Sequence, residues 1–422
     1  MAKSKIWQKQ LETTIREAKE ASAVLSQLSA AQKKQVLMDA ARDMEKSARR
    51  ILAENKKDLA QARRDGLNAA MIDRLTLTPA RIQAMAQGVR VVAGLPDLIG
   101  KTARRWKRPN GLRISRVVVP IGVILIIYES RPNVTVECAS LCLKTGNTVL
   151  LRGGREAFYS NQILVSIFEK ALARRGLPPA GVSFVRTTDR AAVDFLLQQE
   201  GKINLVIPRG GEALIRKVSE SSRIPVIKHY QGICHVYVDQ KADLKKAVAI
   251  AYNAKMQRPG VCNAMETLLV HRKVAGRFLP VLGKQLLRDG CEVRGDQPTR
   301  KLLPWAKAAQ LSDYGYEFLD KKLAVKVVSD VKAAVDHIQT FGSGHTDAIV
   351  TEDKRAAALF CNRVDSSSVM VNASTRFADG FEYGFGAEIG ISTDKIHARG
   401  PMGLEGLTSY KYVVAGNGQV RL

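Results

Sequence analysis

Hydrophobic positions repeat at helical spacing through roughly the first hundred residues of the chain. In the segment "LSAAQKKQVLMDAARDMEKSARRIL", apolar side chains recur every three or four positions and leave the charged positions on the opposite face. Ser29 stands at the start of this stretch and Gln32 three residues later, which is the spacing of a capping box. A second helix is predicted to begin at Pro79, which suits the first position of a helix, with Thr78 as its cap. The pattern therefore predicts helices up to about residue 98.

After Gly100 the pattern becomes one of short apolar runs. The segment "RRWKRPNGLRISRVVVP" has two β-prone arms around Asn110 and Gly111, which predicts a hairpin. Buried strands are predicted in "GVILIIYE", "NTVLLRGG" and "INLVIPRGG", with helical stretches between them. A second series of the same kind begins near Asn253. Strands separated by helices of this length need crossover connections, so we predict an α/β fold with parallel sheets.

The length and composition of the chain indicate its number of domains and its net charge. A chain of 422 residues with 45% hydrophobic positions is long enough for two or three domains. Its 66 Lys and Arg residues against 40 Asp and Glu residues give a net charge of +26, which attracts polyanions from nucleic acids to phosphorylated metabolites. The basic residues are scattered along the chain and form no single long run. This distribution favours a solvated basic surface over a dedicated nucleic-acid interface.

Cysteine usage and hydropathy bear on the compartment. The six cysteines are sparse, no CxxC or HExxH motif occurs, and Cys138 and Cys142 have the spacing of packed neighbours on a helix. We therefore expect no structural metal site. The longest apolar run, 117–128, is too short to span a bilayer, and the N-terminus lacks the apolar core of a signal peptide. These features predict a reduced, soluble protein of the cytoplasm that does not associate with membranes.

One cysteine stands in a context that differs from the others. Cys262 follows a Pro-Gly turn in "QRPGVCNAMETLLV" and precedes an apolar run. The turn would expose the thiol, Arg258 would favour its ionised form, and backbone amides near a helix start would stabilise an oxyanion. A buried cysteine that only fills space is also compatible with this local sequence. These features alone leave a nucleophile and a packing residue equally open.

Two glycine-containing loops follow predicted strands. In "PRGGEALIRKV" the glycines would let backbone amides approach a phosphate at the start of a helix. In "LLRGGRE" two arginines flank the glycines, and such a fork could take the extra phosphate of NADP. A plain connection between a strand and a helix is the alternative for each loop. The residues concerned are Pro208, Arg209, Gly210, Gly211, Arg152, Gly153, Gly154 and Arg155.

Long stretches of the chain resemble one family. The segments "VPIGVILIIYESRPNVTVECASLCLKTGNTVLLRGG", "NAKMQRPGVCNAMETLLV" and "HARGPMGLEGLTSYKYV" are similar to those of the γ-glutamyl phosphate reductases, within the aldehyde dehydrogenase superfamily. The resemblance covers nearly the whole chain. It implies a doubly wound, parallel-sheet NADP-binding domain at 1–99 and 119–254, an α/β catalytic domain at 255–399, and an oligomerisation hairpin and tail at 100–118 and 400–422.

The resemblance also implies a reaction. Members reduce L-glutamyl 5-phosphate to L-glutamate 5-semialdehyde with NADPH, release phosphate, and serve proline biosynthesis. Their nucleophile is the cysteine of "RPGVCN", so Cys262 would form a thioester and then a hemithioacetal. Hydrolytic relatives carry a glutamate base in a segment whose counterpart here, "KHYQGICHVYVD", has Lys228, His229 and Tyr230 instead. This loss favours acyl-phosphate chemistry over oxidation to a free acid.

Further site residues follow from the resemblance. Asn133 is a candidate oxyanion donor, with a helix cap as the alternative. Glu317 stands where relatives hold the nicotinamide ribose, with a plain surface glutamate as the alternative, and His345 is expected to hydrogen-bond a loop. Arginine forks match carboxylates and phosphates, although a structural salt bridge is the alternative for each arginine. The substrate-binding candidates are Arg131, Asn372, Ser374, Arg376 and Arg399.

The resemblance implies a homo-oligomer, and the charge points to a further partner. The hairpin "KTARRWKRPNGLRIS" is more basic than is usual for the family, and the net charge suggests docking of an acidic glutamate 5-kinase. Two other functions stay open. One is a related dehydrogenase for another acyl phosphate or aldehyde, and the other is a basic nucleic-acid-binding protein on this scaffold. The presence of Cys262, the glycine loops and the arginines favours the enzyme.

Overall fold

The computed structural model describes residues 2–421, which form two compact units. The first unit runs to Lys228 and takes in Phe385–Gly390 and the tail from Met402. The second unit contains His229–Gly384 and Ile391–Pro401. No helix in residues 2–421 combines the length and the apolar character needed to cross a membrane.

The first unit begins with helices and continues as alternating strands and helices. Its helices are α1 (Ala2–Leu25), α2 (Ala30–Lys46), α3 (Ala48–Arg64), α4 (Ala69–Leu75), α5 (Pro79–Gly94), α6 (Pro132–Lys144), α7 (Phe158–Arg174), α8 (Ala191–Leu197) and α9 (Glu212–Ser221). Its strands up to Lys228 are β1 (Thr102–Lys107), β2 (Arg113–Pro120), β3 (Val123–Tyr128), β4 (Thr148–Arg152), β5 (Val182–Phe184) and β6 (Leu205–Arg209).

The predicted helix starts are confirmed. The hydroxyl of Ser29 accepts the backbone N–H of Gln32, whose side chain accepts the N–H of Ser29 at 2.9 Å, so the capping box before α2 is complete. Thr78 caps α5 by accepting the N–H of Arg81 at 3.2 Å, and Pro79 opens that helix. These local bonds satisfy N–H groups that a helix leaves without an internal partner.

The sheet of the first unit positions the two glycine loops. Its order is β5-β4-β3-β6, and all of its pairings are parallel. Strand β3, "VILIIY", is buried along its whole length, as expected for a parallel strand covered on both faces. Because the strands are parallel, their carboxyl ends meet at one edge, where Glu129, Gly153 and Gly210 follow β3, β4 and β6. Ligand sites of open α/β sheets lie at this edge.

The second unit is built on a larger parallel sheet. Its strands are β7 (Cys234–Val238), β8 (Met265–His271), β9 (Glu292–Gly295), β10 (Lys307–Ala308), β11 (Lys322–Val328), β12 (Thr346–Val350), β13 (Ser368–Val371), β14 (Ile391–Ser392) and β15 (Gly400–Pro401). Its helices are α10 (Leu244–Met256), α11 (Arg272–Arg288), α12 (Gln297–Leu302), α13 (Val331–Phe341) and α14 (Lys354–Arg363). Seven strands pair in the order β10-β9-β11-β8-β7-β12-β13.

Residues from His229 to Gly384 belong to the second unit. Strand β7 joins this unit through its pairing, since it hydrogen-bonds to β8 on one side and β12 on the other. Helix α10 also packs its alanine-rich face into the core of this unit.

The predicted hairpin is confirmed and gains a third strand. Strands β1 and β2 pair antiparallel, and Gly111 between them has a φ of +91°. The C-terminal strand β16 (Thr408–Ala415) pairs antiparallel with β2, so the tail completes a three-stranded sheet. Most side chains of β1 and β16 are exposed.

Candidate active site

The loop that carries Cys262 is clamped at both ends by a buried ion pair. Cys262 is half-buried and lies between the end of α10 and the start of β8. Lys255, in α10, places its Nζ 2.6 Å from Oε2 of Glu266, in β8, and both side chains are fully buried. The other carboxylate oxygen of Glu266 accepts the N–H of Leu319 at 3.2 Å. Burial raises the pKa of Glu266, and the adjacent ammonium opposes that rise.

The backbone of Cys262 packs directly against the segment that leads into β7. A Cβ at Gly232 would lie 2.0 Å from the carbonyl oxygen of Cys262, so only glycine fits there. The thiol of Cys234 donates to the same carbonyl oxygen at 3.2 Å. Burial raises the pKa of Cys234 well above its ordinary value, so this neighbour stays a neutral thiol. The backbone of Cys262 is thus positioned by its close contact with Gly232 and by the hydrogen bond from Cys234.

Arg376 is held beside the nucleophile. Its Nε donates to Oε1 of Gln257 at 2.8 Å, and its Nη1 donates to Oδ1 of Asn263. Asn263 in turn donates to the carbonyl of Ala378 at 2.9 Å. Burial and the charge of Arg258 lower the pKa of Arg376, while Cys262 opposes this fall. The structure therefore brings the predicted Arg376 and Cys262 together and fixes the guanidinium through residues on both sides of the cysteine.

Two histidines complete the cluster around the thiol. One ring nitrogen of His229, one of His345 and Sγ of Cys262 all lie within 4.8 Å of one another. Nδ1 of His229 lies 2.8 Å from the carbonyl oxygen of Ile391, which can only accept, so Nδ1 carries the proton. Burial lowers the pKa of His345 to about 4, which leaves this imidazole neutral near pH 7. Nδ1 of His345 lies 2.9 Å from Oγ1 of Thr346.

Glu317 lies near the same group. Its negative charge raises the pKa values of Glu266 and Cys234 and opposes the fall in the pKa of His345. It stands in the loop that also supplies the N–H of Leu319 to Glu266. A contact with the nicotinamide ribose stays a prediction.

Three of the substrate-binding candidates bond to neighbours within the second unit. Arg399 donates to the side chain and to the carbonyl of Asp365, each at 2.7 Å. Asn372 adopts a φ of +55° and both accepts from and donates to the backbone of Thr351 at 2.9 Å. Ser374 accepts the N–H of Arg376 at 3.3 Å. These bonds shape the surrounding loops, and contact of the three residues with a substrate stays a prediction.

The remaining substrate and oxyanion candidates meet at the start of α6 in the first unit. Asn133 donates its amide to Oε1 of Glu137 at 2.9 Å and makes no cap to the helix backbone. Burial raises the pKa of Glu137, and Asn133, Arg209 and Arg131 oppose the rise. The alternative of a helix cap for Asn133 is therefore wrong. Arg131 and Arg209, predicted for different ligands, both lie close to the Glu137 carboxyl.

The loop after β6 is closely packed around its glycines. A Cβ at Gly210 would lie 2.6 Å from the carboxyl carbon of Glu129 and 2.8 Å from Leu214. The N–H of Gly211 donates to Oε2 of Glu129 at 3.1 Å. A Cβ at Gly211 itself would meet nothing within 4 Å. At the start of α9, the space beside Gly211 is therefore open to a hydrogen-bond acceptor. The carboxylate of Glu129 occupies the other side.

The loop after β4 presents one buried and one exposed arginine. Arg152 donates to the carbonyls of Gly153 at 2.5 Å and Thr188 at 3.2 Å. Its Nε is buried without a hydrogen-bond partner. Arg155 is largely exposed and lies 3.5 Å from the carboxylate of Asp65.

Sequence reasoning missed most of the residues that fix the nucleophile. Gln257 and Asn263 flank Cys262 in the quoted segment, so their proximity was available as a signal. No sequence pattern predicts the ion pair of Lys255 and Glu266, because a strand and a helix must pack before these residues meet. For His229 the sequence indicates only that it replaces a carboxylate of hydrolytic relatives.

Comparisons with known proteins agree with this geometry. The model of the aldehyde dehydrogenase family matches residues 3–289. The γ-glutamyl phosphate reductase of Carboxydothermus hydrogenoformans is 55% identical over 96% of this chain and 98% of its own length. That of Moorella thermoacetica is 51% identical over 98% of this chain and 99% of its own length. The crystal structure of the γ-glutamyl phosphate reductase of Thermotoga maritima superposes with a TM-score of 0.96 at 45% identity, over 98% of this chain and 100% of that one.

The close approach at Gly232 yields a prediction. In Gly232→Ala the new methyl group must push against the Cys262 backbone, so we expect a loss of about 1–3 kcal/mol in the free energy of unfolding. The matched control is Gly260→Ala, where the nearest atom to the Cβ is 3.6 Å away, and its change should stay within about 0.5 kcal/mol.

Peptide mass spectrometry after brief thiol alkylation gives the second readout. The alkylation rate of Cys262 should change only in Gly232→Ala, measured against the exposed Cys361 as an internal reference. Equal stability and equal labelling of the two variants would contradict the proposed contact.

Proposed function

Since this chain belongs to the γ-glutamyl phosphate reductase family of aldehyde dehydrogenases, we propose that it reduces L-glutamyl 5-phosphate to L-glutamate 5-semialdehyde and releases phosphate, as a step of proline biosynthesis. The observation that carries the proposal is the half-buried thiol of Cys262 beside the guanidinium of Arg376 and two histidines. This is the arrangement that a nucleophilic cysteine needs for an anionic acyl substrate.

In the first step Cys262 forms the thioester. His229 has its proton on Nδ1, so Nε2 offers a lone pair that can take the thiol proton. The resulting thiolate attacks the acyl carbon, and the bond to phosphate breaks. The charge of Arg376 favours the departing phosphate. Gln257 and Asn263 hold the guanidinium in place for this role.

The developing oxyanion needs N–H donors. The backbone N–H of Cys262 is one candidate, and the side chain of Asn133 remains the other. The Asn133 amide has two protons, and only one is needed for its bond to Glu137. That bond fixes the orientation of the amide and leaves the second proton for a ligand.

The other substrate-binding candidates are also part of the proposal. Arg131 and Arg399 would contact the charged ends of the substrate, and Asn372 and Ser374 would make polar contacts with it.

The residues of the first unit fit a phosphorylated nicotinamide cofactor. The partnerless, buried Nε of Arg152 and the exposed guanidinium of Arg155 suit an added phosphate, and the open face of Gly211 suits a second phosphate at the start of α9. The backbone would approach the cofactor closely at Pro208, Gly153 and Gly154. Glu317 would hold the nicotinamide ribose. When bound by these residues, such a cofactor would supply the hydride that reduces the thioester.

Water competes poorly with phosphate at this thioester. The segment that carries a glutamate base in hydrolytic relatives has Lys228, His229 and Tyr230 here and no carboxylate. The neutral His345 offers no charge to attract hydroxide. Phosphate, drawn by Arg376, is therefore the preferred acyl acceptor when the reaction runs in reverse.

The assembly and setting are further parts of the proposal. The sheet of β1, β2 and β16 is proposed as the oligomerisation element, and the division into domains at 1–99 with 119–254 and at 255–399 as the cofactor and catalytic parts. All six cysteines are free, which suits a reducing cytoplasm. The net charge of +26 supports docking of an acidic glutamate 5-kinase.

The reverse reaction tests the chemistry. Glutamate 5-semialdehyde and NADP should yield NADPH, followed by absorbance, beyond one equivalent per active site only when inorganic phosphate is present. Cys262→Ala should lower the rate by at least about 10³-fold, since it removes the nucleophile. Sustained turnover without phosphate would instead show a hydrolytic dehydrogenase, and an active Cys262→Ala would exclude the thioester.

The choice of cofactor has its own test. Arg155→Ala should raise the KM for NADP by about 10- to 150-fold, because it removes a charge-assisted contact worth roughly 1.5–3 kcal/mol, and should leave the kinetics with NAD unchanged. Arg174→Ala is the matched control, since it also removes an exposed, ion-paired arginine. An equal effect of Arg155→Ala on NADP and NAD would contradict recognition of the extra phosphate.

A further inference from the structure

The cluster of His229, His345 and Cys262 has the chemical makeup of a transition-metal site. A thiolate and two imidazoles are the ligands that Zn²⁺ prefers, and here three such atoms lie within 4.8 Å of one another. Zinc bound to one sulfur and two nitrogens would hold these atoms about 3.3–3.6 Å apart. The side chains would need to close by roughly 1 Å, which small side-chain rotations can supply because Cys262 and His229 are only half-buried.

The hydrogen bonds of both histidines favour ligation through Nε2. Nδ1 of His229 donates to the carbonyl of Ile391 at 2.8 Å, and a backbone carbonyl is the usual outer partner of a zinc-bound imidazole. Nδ1 of His345 lies 2.9 Å from Oγ1 of Thr346. Nε2 of His345 is buried and has no hydrogen-bond partner. A buried polar atom of this kind is costly without a ligand.

We propose that Cys262, His229 and His345 bind one Zn²⁺ ion reversibly, and that the bound ion blocks the nucleophile. Binding replaces the thiol proton of Cys262 by a sulfur–zinc bond and releases that proton to solvent. Three protein ligands leave the fourth position of the tetrahedron to water. The sulfur's lone pair is then engaged and cannot attack an acyl carbon. Only this inhibition rests on the proposed function, whereas the binding does not.

The surroundings set the strength of the site. The guanidinium of Arg376 lies close enough to Cys262 to interact with its charge and opposes a second cation there. Glu317 acts in the other direction, since its charge reaches His345. A site balanced in this way suits an ion that binds and leaves, in contrast to a permanent structural zinc.

Zinc and cobalt titrations of the full-length, metal-free protein test the proposal. Zn²⁺ competed against a chromophoric chelator should bind with a stoichiometry of one, and Co²⁺ should give a thiolate-to-cobalt charge-transfer band. Cys262→Ala should abolish the band and weaken zinc binding by more than about 100-fold. This exceeds the effect of losing a residue that only hydrogen-bonds to a metal ligand. His229→Asn should weaken binding similarly, because asparagine keeps a donor for the carbonyl of Ile391 but lacks Nε2.

The controls separate this site from other cysteines and from the reaction. Cys361→Ser removes an exposed thiol and should change neither the band nor the affinity. Absence of one-to-one binding, or a band that survives in Cys262→Ala, would overturn the proposal. Turnover measured with a chelator present reports the proposed reaction independently. Active enzyme without zinc binding would refute the metal site alone, and zinc binding without turnover would refute the reductase alone.

Discussion

The ion pair between Lys255 and Glu266 is the constraint on which the candidate active site depends. It joins the last turn of α10 to the first residues of β8, and the nucleophile lies on the short loop between them. Burying two charges is costly, and breaking such a pair by removing one partner typically costs about 3–5 kcal/mol. The N–H of Leu319 adds a bond to the same carboxylate and so ties the loop of Glu317 to this anchor. A loop held in this way loses little entropy when a substrate arrives.

The charges around Cys262 are distributed unequally, and this asymmetry supports the chemistry. Arg376 provides a fixed positive charge, while burial keeps His345 neutral. Cys234, the nearest other thiol, stays protonated because it is buried. The two cysteines are in contact through the Cys262 carbonyl, yet Cys262 interacts more strongly than Cys234 with the guanidinium of Arg376. The same features make the cluster attractive to an anionic acyl group and, without substrate, to a soft cation.

Local signals were readable from the sequence, and contacts between distant segments were not. The capping box at Ser29, the hairpin at Gly111 and the buried strand β3 depend on neighbours within a few residues, so their patterns predict them directly. The resemblance to a family indicated both Cys262 and Arg376 as site residues. The structure places these two residues beside each other. The meeting of His229 with His345 depends on the folding of β7 beside β12, which no local pattern records. For the same reason the bond from Asn133 to Glu137, one helical turn away, could have been foreseen, while the approach of Arg209 to that carboxyl could not.

The central claim is that Cys262 carries the acyl group between substrate and phosphate. The most direct test of this claim mixes the enzyme with glutamate 5-semialdehyde and NADP without phosphate and quenches the reaction with acid within the first turnover. Mass spectrometry then examines the peptide that contains Cys262. We expect a glutamyl thioester on Cys262 that disappears when phosphate is added before the quench. NADPH formation in the first turnover without phosphate, with Cys262 left unmodified, would contradict the claim.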